Sequence, residues 1–153
     1  MRYEGIIAGL RTLGLSDFDN NNTEAQGRER LYELTDALMA IPGGPPEAPI
    51  PELFGVMERM PDADLGSPGP LVHTLEALKG YEAELTRSIR RSPSLLSVWM
   101  INRILNTEVP NDLRQSYMSL LNEAATRPDV PKAVRDDARD FFELQTRQHS
   151  QSG

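Results

Sequence analysis

The sequence predicts an all-α fold, and three observations carry that expectation. Apolar residues recur at three- and four-residue intervals along most of the chain, with no convincing strand-like alternation. Two Ser-Pro pairs, Ser67-Pro68 and Ser92-Pro93, each open an apolar-striped segment. Serine can satisfy the orphan N–H groups of a first helical turn, and proline there has a φ already set for helix. Finally, proline-bearing breaks fall between the stripes, at 42–49, 61, 128 and 131. We expect about seven helices in antiparallel hairpins, as an irregular bundle or a HEAT-like α-α stack. A single helical domain spans 1–145 in this reading, and a polar tail covers 146–153.

The first helix is predicted over about Arg2 to Leu13, with Tyr3, Ile6, Ile7, Leu10 and Leu13 on one face and Gly14 as its stop. A polar loop, Ser16 to Asn22, follows. Thr23 with Gln26 three residues on resembles a capping box for the second helix. That helix runs to about Ala40, with Leu31, Leu34, Leu38 and Ile41 at helical spacing. The run Pro42-Gly43-Gly44-Pro45-Pro46-Glu47-Ala48-Pro49 is incompatible with a helix or strand interior and reads as a rigid crossover within one domain.

The third helix is short, about Pro51 to Met60, ended by Pro61 and Asp62-Ala63-Asp64. The fourth follows Ser67-Pro68 and carries Leu71, Leu75, Leu78, Tyr81, Leu85 and Ile89. The fifth follows Ser92-Pro93 and carries Leu95, Leu96, Val98, Trp99, Ile101, Ile104 and Leu105. The sixth spans about Asn111 to Thr126, with Leu113, Tyr117, Leu120, Leu121 and Ala124. Pro131 opens the last, with Val134, Ala138, Phe141 and Leu144 inward. Leu71, Leu75, Leu78, Trp99, Ile101, Leu120 and Phe141 are expected to be mostly buried.

Composition narrows the function. With 153 residues, 39% apolar and 25% charged, the chain is long enough to bury about two-thirds of its unfolded surface in one core. It has no cysteine and only two histidines, His73 and His149, which leaves no disulfide, no thiolate site and little scope for a histidine metal site. The N-terminus lacks the pattern of a signal peptide and no apolar run reaches the ~20 residues of a membrane span, so a cytoplasmic protein with no membrane partner is expected. Net charge is −7, and its placement is uneven. Up to Asp64 there are 12 acids against 5 arginines, while from Leu65 onward 11 acids balance 11 bases. An excess of acid disfavours direct nucleic-acid binding, which needs lysine and arginine on phosphates, and suits a basic partner protein.

No residues assemble a catalytic or cofactor motif. Glu82 and Glu84 point to different helix faces, and Asp136, Asp137 and Asp140 interleave with Arg135 and Arg139 as a solvated face does. His73 and Glu76 are one helical turn apart, yet a surface or capping role suits His73 better than acid–base work. Gly66-Ser67-Pro68-Gly69-Pro70 lacks the lysine and glycine spacing of a phosphate cradle. Trp99 sits on an apolar face in step with Leu95 and Arg103, as core or as an interface anchor. We expect no enzyme and no cofactor.

Three segments carry a likeness to a known family. They are Leu65-Gly66-Ser67-Pro68-Gly69-Pro70-Leu71-Val72-His73, Tyr81-Glu82-Ala83-Glu84-Leu85, and Val98-Trp99-Met100-Ile101-Asn102-Arg103-Ile104-Leu105-Asn106. From Leu65 to about Phe142, the chain resembles small helical immunity proteins that accompany bacterial polymorphic toxins, including those of contact-dependent growth inhibition. The resemblance implies a cytoplasmic, non-enzymatic protein that binds one toxin domain tightly and blocks it.

Charge then suggests that the cognate toxin C-terminal domain is basic, as a nuclease would be. The expected contact residues lie in the acidic first part of the chain: Asp17 and Asp19, Glu47 and Glu52, and Glu58, Asp62 and Asp64. A non-catalytic helical scaffold or adaptor that binds a basic protein or peptide is the alternative.

Overall fold

The computed structural model describes residues 2–19, 21, 25–43, 48–66 and 68–152, and among these the chain is all-helical, with helices packed directly on helices. In chain order they are α1 (Tyr3–Thr12), a 3-10 turn (Leu15–Phe18), α2 (Gly27–Met39), α3 (Ile50–Arg59), α4 (Gly69–Ala77), α5 (Tyr81–Arg91), α6 (Leu95–Leu105), α7 (Asn111–Thr126) and α8 (Lys132–Ser152). Thr23, Ser67 and Glu47 lie outside the described residues.

Among the described residues there are eight α-helices rather than seven because the predicted fourth helix is two. Leu78 turns extended and Gly80 takes φ +83°, a left-handed conformation that glycine adopts without strain and that ends α4. The apolar stripe survives the break, since Leu71, Leu75, Leu78, Leu85 and Ile89 are all buried on the two shorter helices.

The start of α6 also differs in its chemistry. Ser94, not Ser92, caps it: Ser94 Oγ accepts from the Ser97 N–H at 3.1 Å, and the Ser94 N–H donates to Ser97 Oγ at 2.9 Å. Serine at the third helical position thus replaces the glutamate of a usual capping box. At the other end, α8 continues to Ser152 through the polar segment set aside as a tail.

The core is one continuous cluster from Ile6 to Ala138. α3 lies at its hub and packs against α1, α4, α5 and α6, while α7 and α8 pair with each other and against α6. Leu71, Leu75, Leu78, Ile101 and Leu120 are buried as expected. Trp99 and Phe141 are only half-buried at the edge of the core, and Leu113 is exposed. Leu113 lies in the first turn of α7, one turn before its first buried residue, Tyr117.

Polar ties fix the helices in register. Arg59 Nη2 donates to the Leu10 carbonyl at 2.6 Å, joining α3 to α1. The Leu95 N–H donates to the Pro61 carbonyl at 2.8 Å, joining α6 to the end of α3. Gln145, 1% exposed on α8, donates from Nε2 to Asn102 Oδ1 at 2.8 Å and Asn106 Oδ1 at 2.7 Å, and its carbonyl accepts from Arg114 at 3.0 Å. A buried amide keeps its place when its hydrogen bonds are met, so this network specifies how α6, α7 and α8 meet.

Candidate partner-binding surface

The seven expected contact acids meet different fates. Asp17 accepts the Gly14 N–H at 2.8 Å and Asp19 the Asn21 N–H at 2.9 Å, so both carboxylates shape the loop that bears them. Glu52 is paired with Arg11, and the hydrogen bond from that guanidinium holds its carboxyl below the usual range. Glu58 is the most committed. Arg91 grips it with Nε and Nη2, each at 2.7 Å, and Ser88 Oγ donates to it at 2.9 Å. Its side chain is only 15% exposed, so Glu58 holds α3 to α5 and offers a partner little. The same Arg91 reaches Glu84; burial alone would raise that carboxyl, but hydrogen bonds from Arg87 and Arg91 keep it low.

Asp64 pairs with Arg28 of α2, and its other oxygen accepts the Gly66 N–H at 3.1 Å. Asp62 is exposed and makes no ion pair among the described residues. These two acids stand beside a pocket of about 200 Å³ whose lining includes Leu95, Leu96, Trp99 and, from α8, Asp137. Asp137, expected on a solvated face rather than among the contact residues, is instead half-buried and lines this pocket. Burial pushes its carboxyl pKa up, and Asp140 and Asp136 push it further.

Trp99, the only tryptophan, lines this pocket from one side, and Arg103 sits over its ring at 5.4 Å from the centroid. Arg103 is itself held by Glu76 at 2.7 Å, which takes Glu76 away from His73. The pocket therefore combines an indole stacked under Arg103, three leucines, Leu65, Leu95 and Leu96, and three carboxylates from two distant parts of the chain. It can take an arginine or lysine side chain, the stem against the apolar wall and the head among the carboxylates.

A raised carboxyl pKa signals a charge held at some cost. The protonated form is favoured by the fold below the ordinary value of 3.8, and that contribution is lost as pH rises through the elevated value. At pH 7 the charged Asp137 therefore works against the fold. Asp137→Asn is expected to raise stability by about 0.5 kcal/mol at pH 7, the scale of a like-charge pair on a helix, and to change it little below pH ~3.8. Urea denaturation at the two pH values checks this. Equal effects at both would remove charge as the cause.

A second concavity lies between α7 and α8, about 650 Å³, lined among others by Asn111, Gln115, Met118, Asn122 and Phe142. It is rich in amides and carries no carboxylate. Among the described residues no group of three His, Asp or Glu side chains is placed to hold a metal ion, and no helix is long and apolar enough to cross a membrane.

Compared with known proteins, the chain matches no family model, no curated relative and no solved structure.

Proposed function

We propose that this chain is a non-enzymatic inhibitor that binds a basic protein domain, and that the domain is the toxin of a polymorphic or contact-dependent system. The observation that carries the binding half is the Trp99 pocket, where Asp62, Asp64 and Asp137 converge on a half-buried indole. Asp64 is already paired with Arg28, whereas Asp62 and Asp137 have no ion pair among the described residues, so an incoming guanidinium adds charge-assisted hydrogen bonds there. The toxin half rests on the resemblance over Leu65 to Phe142. The expectations of no catalysis and a cytoplasmic site of action belong to the same proposal.

The test is whether a toxin domain is encoded beside this chain and co-purifies with it, followed by that domain's activity with and without it. Asp62→Lys is the cleaner reporter of the rim, since Asp64→Lys also breaks the pair to Arg28. Association of Asp62→Lys is expected to be about 3- to 10-fold slower at low salt and nearly normal at about 0.5 M, where charges are screened within a few ångströms. Trp99 emission should shift on binding, because the pocket holds the only indole. An unchanged on-rate at low salt together with unchanged emission would take the pocket out of the interface.

The alternative, a helical adaptor for an extended peptide, is favoured by one observation. The amides of Asn111, Gln115 and Asn122 line the α7–α8 groove, and each amide carries a donor and an acceptor suited to peptide backbone.

A further inference from the structure

α2 has a second ordered face that its own fold does not use. Leu31, Leu34 and Leu38 are fully buried on the inner side. On the outer side Glu29, Tyr32, Asp36 and Met39 succeed one another at intervals of three, four and three residues, which sets them in one line along the helix. Tyr32 is 51% exposed and Met39 41%. With Leu15 at 62% in the preceding 3-10 turn, they are three of the four large apolar side chains that the described residues leave open. A helix face that is merely solvated carries polar and charged residues, whereas tyrosine and methionine are the types enriched in interfaces.

The charges on this face are also unbalanced. Glu33 is paired with Arg30 at 2.8 Å, but Glu29 and Asp36 have no ion-pair partner among the described residues. A shallow depression of about 560 Å³ runs beside them, lined by Tyr32, Glu29, Glu33 and Asp36 among others. This face adjoins the pocket described above. Arg28, one turn before Tyr32, is the residue paired with Asp64 on the pocket rim.

We infer that the Glu29–Tyr32–Asp36–Met39 stripe is a docking surface for a basic amphipathic helix, continuous through Arg28–Asp64 with the Trp99 pocket. The inference rests on the reading of a basic partner and assigns that partner a second contact, with apolar side chains between Tyr32 and Met39 and lysines or arginines against Glu29 and Asp36. A second copy of this chain is the wrong occupant, because an antiparallel two-fold contact would set Glu29 against Met39 and Asp36 against Tyr32, covering both carboxylates without a cation.

The probe is a helical peptide of Leu and Lys heptads, with a counterpart carrying Glu for Lys, followed by fluorescence anisotropy. The wild-type chain is expected to bind the Lys peptide and not the Glu peptide. Tyr32→Ser with Met39→Ser should weaken binding by about tenfold or more, as loss of an interface anchor does. Asp36→Lys should weaken it further than Asp112→Lys, the same charge change on α7, which packs against α5, α6 and α8 instead. These positions are exposed, so unchanged thermal unfolding verifies that the variants fold. Equal losses at Asp36 and Asp112, or full binding by the Tyr32/Met39 variant, would overturn the proposal. Self-association of the wild type that Tyr32→Ser abolishes would overturn it as well, in favour of a second copy.

The two readings fail separately. A toxin domain whose binding responds to Asp62 but not to Tyr32 and Met39 removes this face and leaves the proposed function. Loss of peptide binding in the stripe variants, with no toxin domain captured, keeps the face and removes the toxin.

Discussion

Phe54→Ala is expected to cost about 3–5 kcal/mol, the range for deleting a fully buried aromatic side chain. Phe54 is completely inaccessible, and it lies on α3, the helix that packs against α1, α4, α5 and α6. The loss combines the transfer energy of the ring with the cavity it leaves. Four neighbouring helices cannot all close on one void without parting from one another. Domains of this size have about 5–15 kcal/mol of total stability, so the variant forfeits a large share and its melting temperature should fall by roughly 10 °C or more. Chemical denaturation followed by circular dichroism measures it, with Tyr32→Ala on the open face of α2 as a control expected to change little. A cost below about 1 kcal/mol would mean that α3 is not the hub.

Gly27→Ala is the second large effect, and here helix propensity predicts the opposite sign. Gly27 lies in the first turn of α2, where alanine would ordinarily be neutral or favourable. A Cβ there would stand 2.4 Å from the carbonyl oxygen of Asp17 and 2.8 Å from its carbon, with Phe18 Cδ1 at 2.9 Å. Backbone atoms cannot swing aside as a side-chain tip can. The 3-10 turn must therefore move off α2 and take the buried Phe18 with it, at a cost of about 1–3 kcal/mol, the scale of an overpacked core. Gly14→Ala is the matched control, since a Cβ at that position meets nothing within 4 Å. Stability of Gly27→Ala at or above wild type would show that the turn re-seats freely.

Much of the fold was legible because helices are written locally. The bounds of α7 match the prediction at both ends, and Leu31, Leu34 and Leu38 of the α2 stripe are fully buried, while Ile41 just past the helix is only partly so. The errors came where two local signals competed. Leu78, Tyr81 and Leu85 keep helical spacing across Gly80, so periodicity concealed a break that glycine alone announced. Ser92-Pro93 outshone Ser94, whose partner Ser97 is not the usual glutamate. At the candidate surface, Asp62 and Asp64 were named, but Asp137 was not, because it lies some 75 residues further along and shares the pocket only through the packing of α8 against α6. Tyr32 and Met39 were available from the wheel of α2, since they fall off the face that carries Leu31, Leu34 and Leu38.

The sequence by itself determined the all-helical class, the core-facing stripes and the acidic bias of the first 64 residues. All three follow from residue type and short-range spacing, which any conformation of the chain retains. Only the tertiary structure decided which of those acids remain available to a partner. Glu52 is claimed by Arg11, Glu58 by Arg91 and Asp64 by Arg28, pairs separated by 41, 33 and 36 positions, while Asp62 stays open. Charge falls off with distance through space and takes no account of distance along the chain, so a carboxylate's partner exists only once the helices have packed.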